Sequence, residues 1–560
     1  MILKNIAKRI LTVVVIAVMV FAMNIPFVSA TETSGTIGED ITWNFNETTG
    51  VLTISGTGAM NDDPWEDLKS EIKTVVIGDG ITTIKYEAFR SCHLLTSVTI
   101  PASVTTIGDE AFANCRALTN VTIPDSVTTI GDSAFFLCEA LANITIPENV
   151  TSVGESAFYD TAYYKDSANW ENGALYIGSF LVETDYNQLP KEYTVKEGTK
   201  VIADGAFEFA GITSIAIPNS VKTIGDGAFE NCGALAKVTI PSGLTKIQPM
   251  AFKSCTSLTS ITIPEGVTMI GEDAFRYSGL ASITIPDSVT SIENKAFDGT
   301  AYYDDASNWE NGVLYIGKHL IKAEKEEVSG SYAVKDGTIM IARFAFEECE
   351  SLTGITIPDS VTTINLQAFQ DCKNLYSVKI GNSVEEIPEL AFNCCESLSN
   401  LTIGNGVKTI GYDAFYHCDS LTSVVIPDSV TMIDVKAFRA CDALTNVTVG
   451  KGVTEIGTGA FEGCYALSNV NYNGTKAEWG KISIGEKNDY LLNATMHFTQ
   501  SGSADSGNAQ EAPGGTEAKS EAEKDSGGSG GTAVIIIVVV AVVLVVAAGA
   551  GVFFLKKKKK

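Results

Sequence analysis

Histidine is nearly missing from this chain: the 560 residues hold four, His93, His319, His417 and His497, far apart from one another. With no HExxH pair and no local cluster, there is nothing from which to build a tetrahedral zinc site. A nucleophile elbow and a phosphate-cradling glycine loop are also lacking, and no pair of carboxylates stands out from the many that repeat. Catalysis needs one pocket, so the expectation is no enzyme, no metal and no cofactor. Positive charge is scarce as well, with 39 basic against 67 acidic side chains. Eight of the basic residues sit in the two end segments, which leaves 31 against 67 between them, a balance of −36. Such a surface excludes nucleic acid and anionic headgroups as partners and favours solubility. No LPxTG-like motif precedes the final apolar run, so covalent attachment to a cell wall is not implied.

What is abundant is an Ala-Phe pair, present fifteen times, with the phenylalanines at 89, 112, 135, 158, 207, 229, 252, 275, 297, 346, 369, 392, 415, 438 and 461. Most intervals are 23 residues, two are 22 and two are 49. A fixed period in this range predicts a solenoid of stacked coils. In the unit LTNVTIPDSVTTIGDSAFFLCEA, Leu118, Val121 and Ile123 suit a short strand with alternate side chains turned inward. Pro124 stops that strand and Asp125-Ser126 turns the chain. Val127 and Ile130 form a second inward pair. Ala134, Phe135 and Cys138 are then predicted on one face of a short helix or 3₁₀ segment. Stacked about 4.8 Å apart, fifteen coils would extend about 70 Å and share one core.

The pattern L-x-x-I-x-I-P-x-x-V-x-x-I-G-x-x-A-F-x-x-C resembles the BspA-type, or Treponema pallidum-type, leucine-rich repeat of bacterial and some protist surface proteins. LTSVTIPASVTTIGDEAFANC from Leu95 and LTSVVIPDSVTMIDVKAFRAC from Leu421 carry it. The resemblance implies an α/β solenoid, a leucine-rich-repeat arc of about 15 coils with short parallel strands, spanning residues 72–470. It implies a cell-surface scaffold, adhesion to host or bacterial macromolecules being the function expected. A structural envelope spacer without a specific ligand and a polysaccharide-capturing module are the competing classes.

Both ends suggest placement. Lys4, Lys8 and Arg9 precede an apolar run from Ile10 to Ala22, and Val28-Ser29-Ala30 fits a signal peptidase, so residues 1–30 read as a signal peptide cleaved between Ala30 and Thr31. Residues 532–555 read as a transmembrane helix, since the 23 apolar residues from Ala533 to Leu555 reach across a bilayer. The lysine tail 556–560 would stay cytoplasmic, leaving the array outside on a single-pass anchor, most simply on a Gram-positive surface. Residues 500–531, rich in Gly, Ser, Ala and Glu, read as a flexible stalk. Residues 31–71 and 471–499 read as caps, the first with a hairpin of Ile41–Phe45 and Val51–Ile54. A protist source would give the same topology and make Asn46, Asn120 and Asn143 glycan acceptors.

Eleven of the twelve cysteines fall three residues after a phenylalanine. Side chains at one coil position run parallel and do not face, so buried thiols are expected in place of disulfides. Cys394 stands outside that column. The two long intervals hold duplicate insertions of 26 residues, near 160–192 and 299–331, offset by 139. In each, Leu175 to Val182 or Leu314 to Ile321 alternates like one arm of a hairpin. The aromatic residues Tyr163, Tyr164, Trp170 and Tyr176, with Tyr302, Tyr303, Trp309 and Tyr315, are candidates for contact with a protein or glycan ligand, or for the hairpins' own small cores. Two repeated polar positions are also candidates. Thr99, Thr122, Thr145, Thr239, Thr262, Thr284, Thr356, Thr402 and Thr448 form an outward ladder suited to carbohydrate, or simply to a strand. Asp125, Asp287, Asp359 and Asp428 suit calcium, or simply a turn.

Overall fold

The computed structural model describes residues 33–499. The expected signal peptide, stalk, transmembrane helix and lysine tail lie outside the described residues. Among the described residues, no helix is long and apolar enough to cross a membrane.

Each coil has three sides, set by its sequence. On the first, Leu118, Val121 and Ile123 are buried while Asn120 and Thr122 face solvent. Successive strands pair in parallel with like residues in register, Val75 beside Val98 and Val98 beside Val121. Pro124 closes this side, its carbonyl accepting from Val127 N–H at 3.0 Å. The second side is another parallel sheet, in which Ile107, Ile130 and Val153 are neighbours.

The third side corrects the expected helix. Glu110 and Asn114 have φ of 51° and 61°, and an α-helical ladder cannot pass through left-handed residues. The backbone instead makes overlapping β-turns, with Ala111 N–H on Gly108 O at 3.2 Å and Cys115 N–H on Phe112 O at 3.3 Å. Positive φ at the third turn residue marks both as type II. The alternate amides of Glu110, Phe112 and Asn114 donate along the stack to the carbonyls of Asp132, Ala134 and Phe136 at 2.6–2.8 Å. Every backbone donor of the segment is thereby used without a helix. The α-helices among the described residues are four short pieces, Ala162–Lys165, Ala301–Asp304, Lys476–Trp479 and Asp489–Asn493. The solenoid is therefore mostly strand and turn.

Inside, consecutive phenylalanine rings lie 5.0–5.6 Å apart and within 18° of parallel. There are about 19 turns, more than the 15 expected, because coils without Ala-Phe also stack. Trp65 takes the ring position before Phe89, 5.6 Å from it. Val51–Gly56 pairs in parallel with Thr74–Ile77, and Asn469–Tyr472 with Thr495–Phe498. At the last Ala-Phe coil, where no further turn ladder follows, the Asn488 side chain accepts from Phe461 N–H at 3.0 Å.

Leu175 to Val182 is two arms, not one. Ala174–Ile177 and Phe180–Thr184 pair antiparallel around Gly178-Ser179. Gly178 has φ of 61°, the requirement of a type II′ turn at its first central residue. Phe180–Thr184 then pairs in parallel with Val201–Ile202, while Asp204 N–H reaches Val153 O at 2.9 Å. The hairpin is thus a wedge driven between two coils that still touch at one end. In the second copy, His319–Ala323 pairs with Met340–Ile341 and Arg343 N–H reaches Ile292 O at 3.1 Å.

Candidate functional site

The insertions do not expose their aromatic residues as a patch. Tyr176 and Tyr315 are buried, 8% and 9% exposed, and the other six are half-buried against the core. Their polar atoms are engaged locally. Trp170 Nε1–H donates to Tyr164 O at 2.6 Å, Tyr163 O–H to Tyr176 O at 2.9 Å, and the Tyr176 and Tyr193 hydroxyls bond at 3.0 Å. The second copy repeats this, with Trp309 on Tyr303 O at 2.7 Å, Tyr302 on Tyr315 O at 3.0 Å and the Tyr315 and Tyr332 hydroxyls at 3.0 Å. Thr161 and Thr300, fully buried, cap the one-turn helices that carry the tyrosine pairs. The physical reason is that a wedge must bury area of its own, and half-wet aromatics with a polar tip do that.

Two kinds of threonine column run along the array, and the structure separates them. Thr105, Thr128 and Thr151 each donate a hydroxyl to a carbonyl one coil back, at 3.2–3.3 Å, as do Thr268 and Thr431 at 3.2 Å. Those hydroxyls hold coils together. The nine threonines at the centre of the first sheet make no such bond among the described residues, and all are exposed except the half-exposed Thr448. Thr262 lies directly beside Thr284. Sequence pattern gave this column, but only the hydrogen bonds show that its hydroxyls are uncommitted while others are not.

Two of the four acidic turn residues are occupied by the backbone. Asp359 Oδ1 accepts from Asn382 N–H at 2.7 Å and Asp428 Oδ1 from Lys451 N–H at 3.0 Å, each across one coil. The Asn382 N–H holds the Asp359 carboxyl below the usual range, and the Asn473 side-chain amide, at 3.1 Å, followed by the Lys451 N–H does the same for Asp428. Asp287 pairs with Lys318. No cluster able to hold a metal ion is present among the described residues. The thiols are free, eleven of them buried.

Sequence reasoning missed the groups at the wedges. Burial, then the neighbouring Glu155, pushes Glu183 up to about 7, and burial pushes Asp204 to about 7 beside Asp226 and Asp132. Their counterparts in the second copy are Lys322 and Arg343. The available signal was this reversal of sign at aligned positions of two otherwise similar segments.

Parallel strands at a 23-residue period, with Leu, Val, Ile and Phe columns inside, define the class as a leucine-rich-repeat solenoid. Residues 67–179, 186–303 and 339–473, well over half the chain, match the model of the BspA type leucine rich repeat region in six copies, and the chain belongs to that family. No curated protein matches it. Among solved structures it is similar to a leucine-rich repeat protein from Bacteroides ovatus, at 24% identity over 82% of this chain and 99% of that one, TM-score 0.31. A leucine rich cell surface protein from Faecalibacterium prausnitzii is 24% identical over 81% and 99%, TM-score 0.27. A T. pallidum leucine-rich repeat protein is 28% identical over 32% of this chain and 84% of its own, TM-score 0.27.

Proposed function

We propose that this chain is a cell-surface scaffold that binds an extracellular protein or glycan through the threonine-bearing face of its first sheet, as an adhesin does. The observation that carries this reading is a set of uncommitted hydroxyls at one strand position. They form short lattices at Thr99, Thr122 and Thr145 and at Thr239, Thr262 and Thr284, all exposed, with neighbouring coils about 4.8 Å apart, while Lys379 and Val425 alternate with Thr356, Thr402 and Thr448 farther along. Such a lattice offers donors and acceptors at no cost to the fold. The single-pass anchor and Gram-positive surface belong to the same reading and rest on the terminal sequences. The insert aromatics brace the wedges in this account, and the ligand contacts the sheet.

The test uses residues 31–500, which contain the whole described array, residues 33–499, against immobilised matrix proteins, mucins and glycans. Saturable capture, weakened about tenfold or more by Thr239→Glu with Thr262→Glu at an unchanged thermal midpoint, is the expected result. Capture that survives this double change removes the sheet as the site. A folded array that captures nothing is a spacer.

A further inference from the structure

The two insertions share a sequence offset of 139 residues and part the coils in the same way. At the second, the gap is a cleft of about 370 Å³ whose walls include Ile292, Ile321 and Ala342. Lys295, Lys322, Lys325 and Arg343 line it. The same positions of the first insertion hold Ser156, Glu183, Tyr186 and Asp204. One scaffold thus carries two opposite charge patterns, and the cationic one is the exception on a strongly acidic chain.

Arg343 is fixed in place. It donates to Glu293 Oε2 at 3.0 Å and Gln367 Oε1 at 2.8 Å, and its guanidinium lies 5.0 Å from the centre of the Phe344 ring. Its Nε is buried without a hydrogen-bond partner among the described residues. Lys322 donates to Phe344 O at 2.9 Å, and an ammonium group has two further donors. Lys325 is paired with Glu348, and Lys295 is exposed at the rim. Four acceptors share the lining: Asn294, Asp298, Glu347 and the Glu293 that Arg343 already engages. Those acids offset part of the positive charge, so a polyanion does not match the cleft. A small molecule with one carboxylate and several hydroxyls does. The carboxylate meets Lys322 and Arg343, and the hydroxyls meet Asn294, Asp298 and Glu347.

We propose that this cleft binds a carboxylated sugar, of the uronate or sialate class, and that the matching acidic positions of the first insertion do not. The proposal rests on the reading of the array as an extracellular capture surface, but it concerns a different face and a free monosaccharide. Its failure is therefore separable from failure of capture on immobilised ligands.

Titration of residues 31–500 with glucuronic acid and N-acetylneuraminic acid, followed by saturation-transfer NMR, tests it, with glucose and N-acetylglucosamine as neutral counterparts. Saturable binding of at least one acid is expected, about tenfold or more tighter than its neutral counterpart. It should be lost in Lys295→Ser with Lys322→Glu, which installs the residues that the first insertion has at these two positions, Ser156 and Glu183. Lys322→Met keeps the apolar stem in place and should also weaken binding, so the outcome does not depend on how well the double variant folds. Preference between the two acids identifies the source. Absence of saturable binding, equal binding of neutral sugars, or undiminished binding to Lys322→Met overturns the proposal.

Discussion

Phe252 lies 5.3 Å from the Phe229 ring and 5.6 Å from that of Phe275, fully buried between two neighbouring coils. Truncation to alanine leaves a cavity that the rigid backbone ladders on either side cannot close. Phe252→Ala should therefore cost about 3–5 kcal/mol, read as a lower denaturation midpoint. The cysteine column shows a second use of a buried position. Cys115 donates its S–H to Phe89 O at 3.1 Å and Cys255 to Phe229 O at 3.2 Å. Burial raises these thiols, Cys138 to about 12, so they stay protonated and inert. Cys394 differs in access and not in acidity: it occupies a left-handed turn position, φ 57°, and is only part-buried, although burial and then the neighbouring Asp371 push it up as well, to about 11. A maleimide reagent should label one thiol, Cys394, on the folded protein and twelve after denaturation. Rapid labelling of more than one under native conditions would show that the column is not packed.

At the level of elements, the first wedge should respond to pH. Glu183 and Asp204 are held near 7 by burial, whereas unfolded they titrate near 4. Between those values the native state binds more protons, so stability is greatest on the acidic side and falls as pH rises from about 4 through 7. Glu183→Gln with Asp204→Asn should raise the thermal midpoint at pH 8 and flatten the difference between pH 5 and pH 8. An unchanged profile would mean that these carboxyls are solvated. The C-terminal cap offers a sharper case. Asn488, 1% exposed, accepts from Phe461 N–H and donates to Gly457 O and Gly485 O at 2.9 Å. Its side chain supplies the carbonyl that a following coil would have provided. Asn488→Ala should cost about 1–3 kcal/mol through the orphaned amide, measured by urea denaturation.

On the scale of the whole array, stability is a sum of coil and neighbour terms, and the neighbour terms are unequal. The ring stack runs unbroken from Trp65 to Phe158, from Phe207 to Phe297 and from Phe346 to Phe461. At each break a tyrosine substitutes at a steep angle, Tyr193 against Phe207 at 64° and Tyr332 against Phe346 at 53°. Hydrogen exchange should resolve three blocks of protection with boundaries between Phe158 and Phe207 and between Phe297 and Phe346. A uniform level throughout would show that the wedges couple their neighbours as firmly as ordinary coils do.

The sequence alone determined the period, the identity of the inward columns and the two insertions, because identical coils repeat the same local signal until it cannot be misread. It also placed Thr99 and its equivalents outside, since strand alternation is a local rule. The tertiary structure decided what depends on contact between coils. The Phe-bearing segment reads locally as helix, yet it becomes a turn ladder because its alternate amides find acceptors one coil away. Trp65 and the cap strands count as coils only once they are seen stacked. Tyr176 looks like an exposed loop aromatic until the hairpin is seen entering the sheet. Which threonine hydroxyls are free is likewise a fact about neighbours 22 or 23 residues away, beyond the reach of any local pattern.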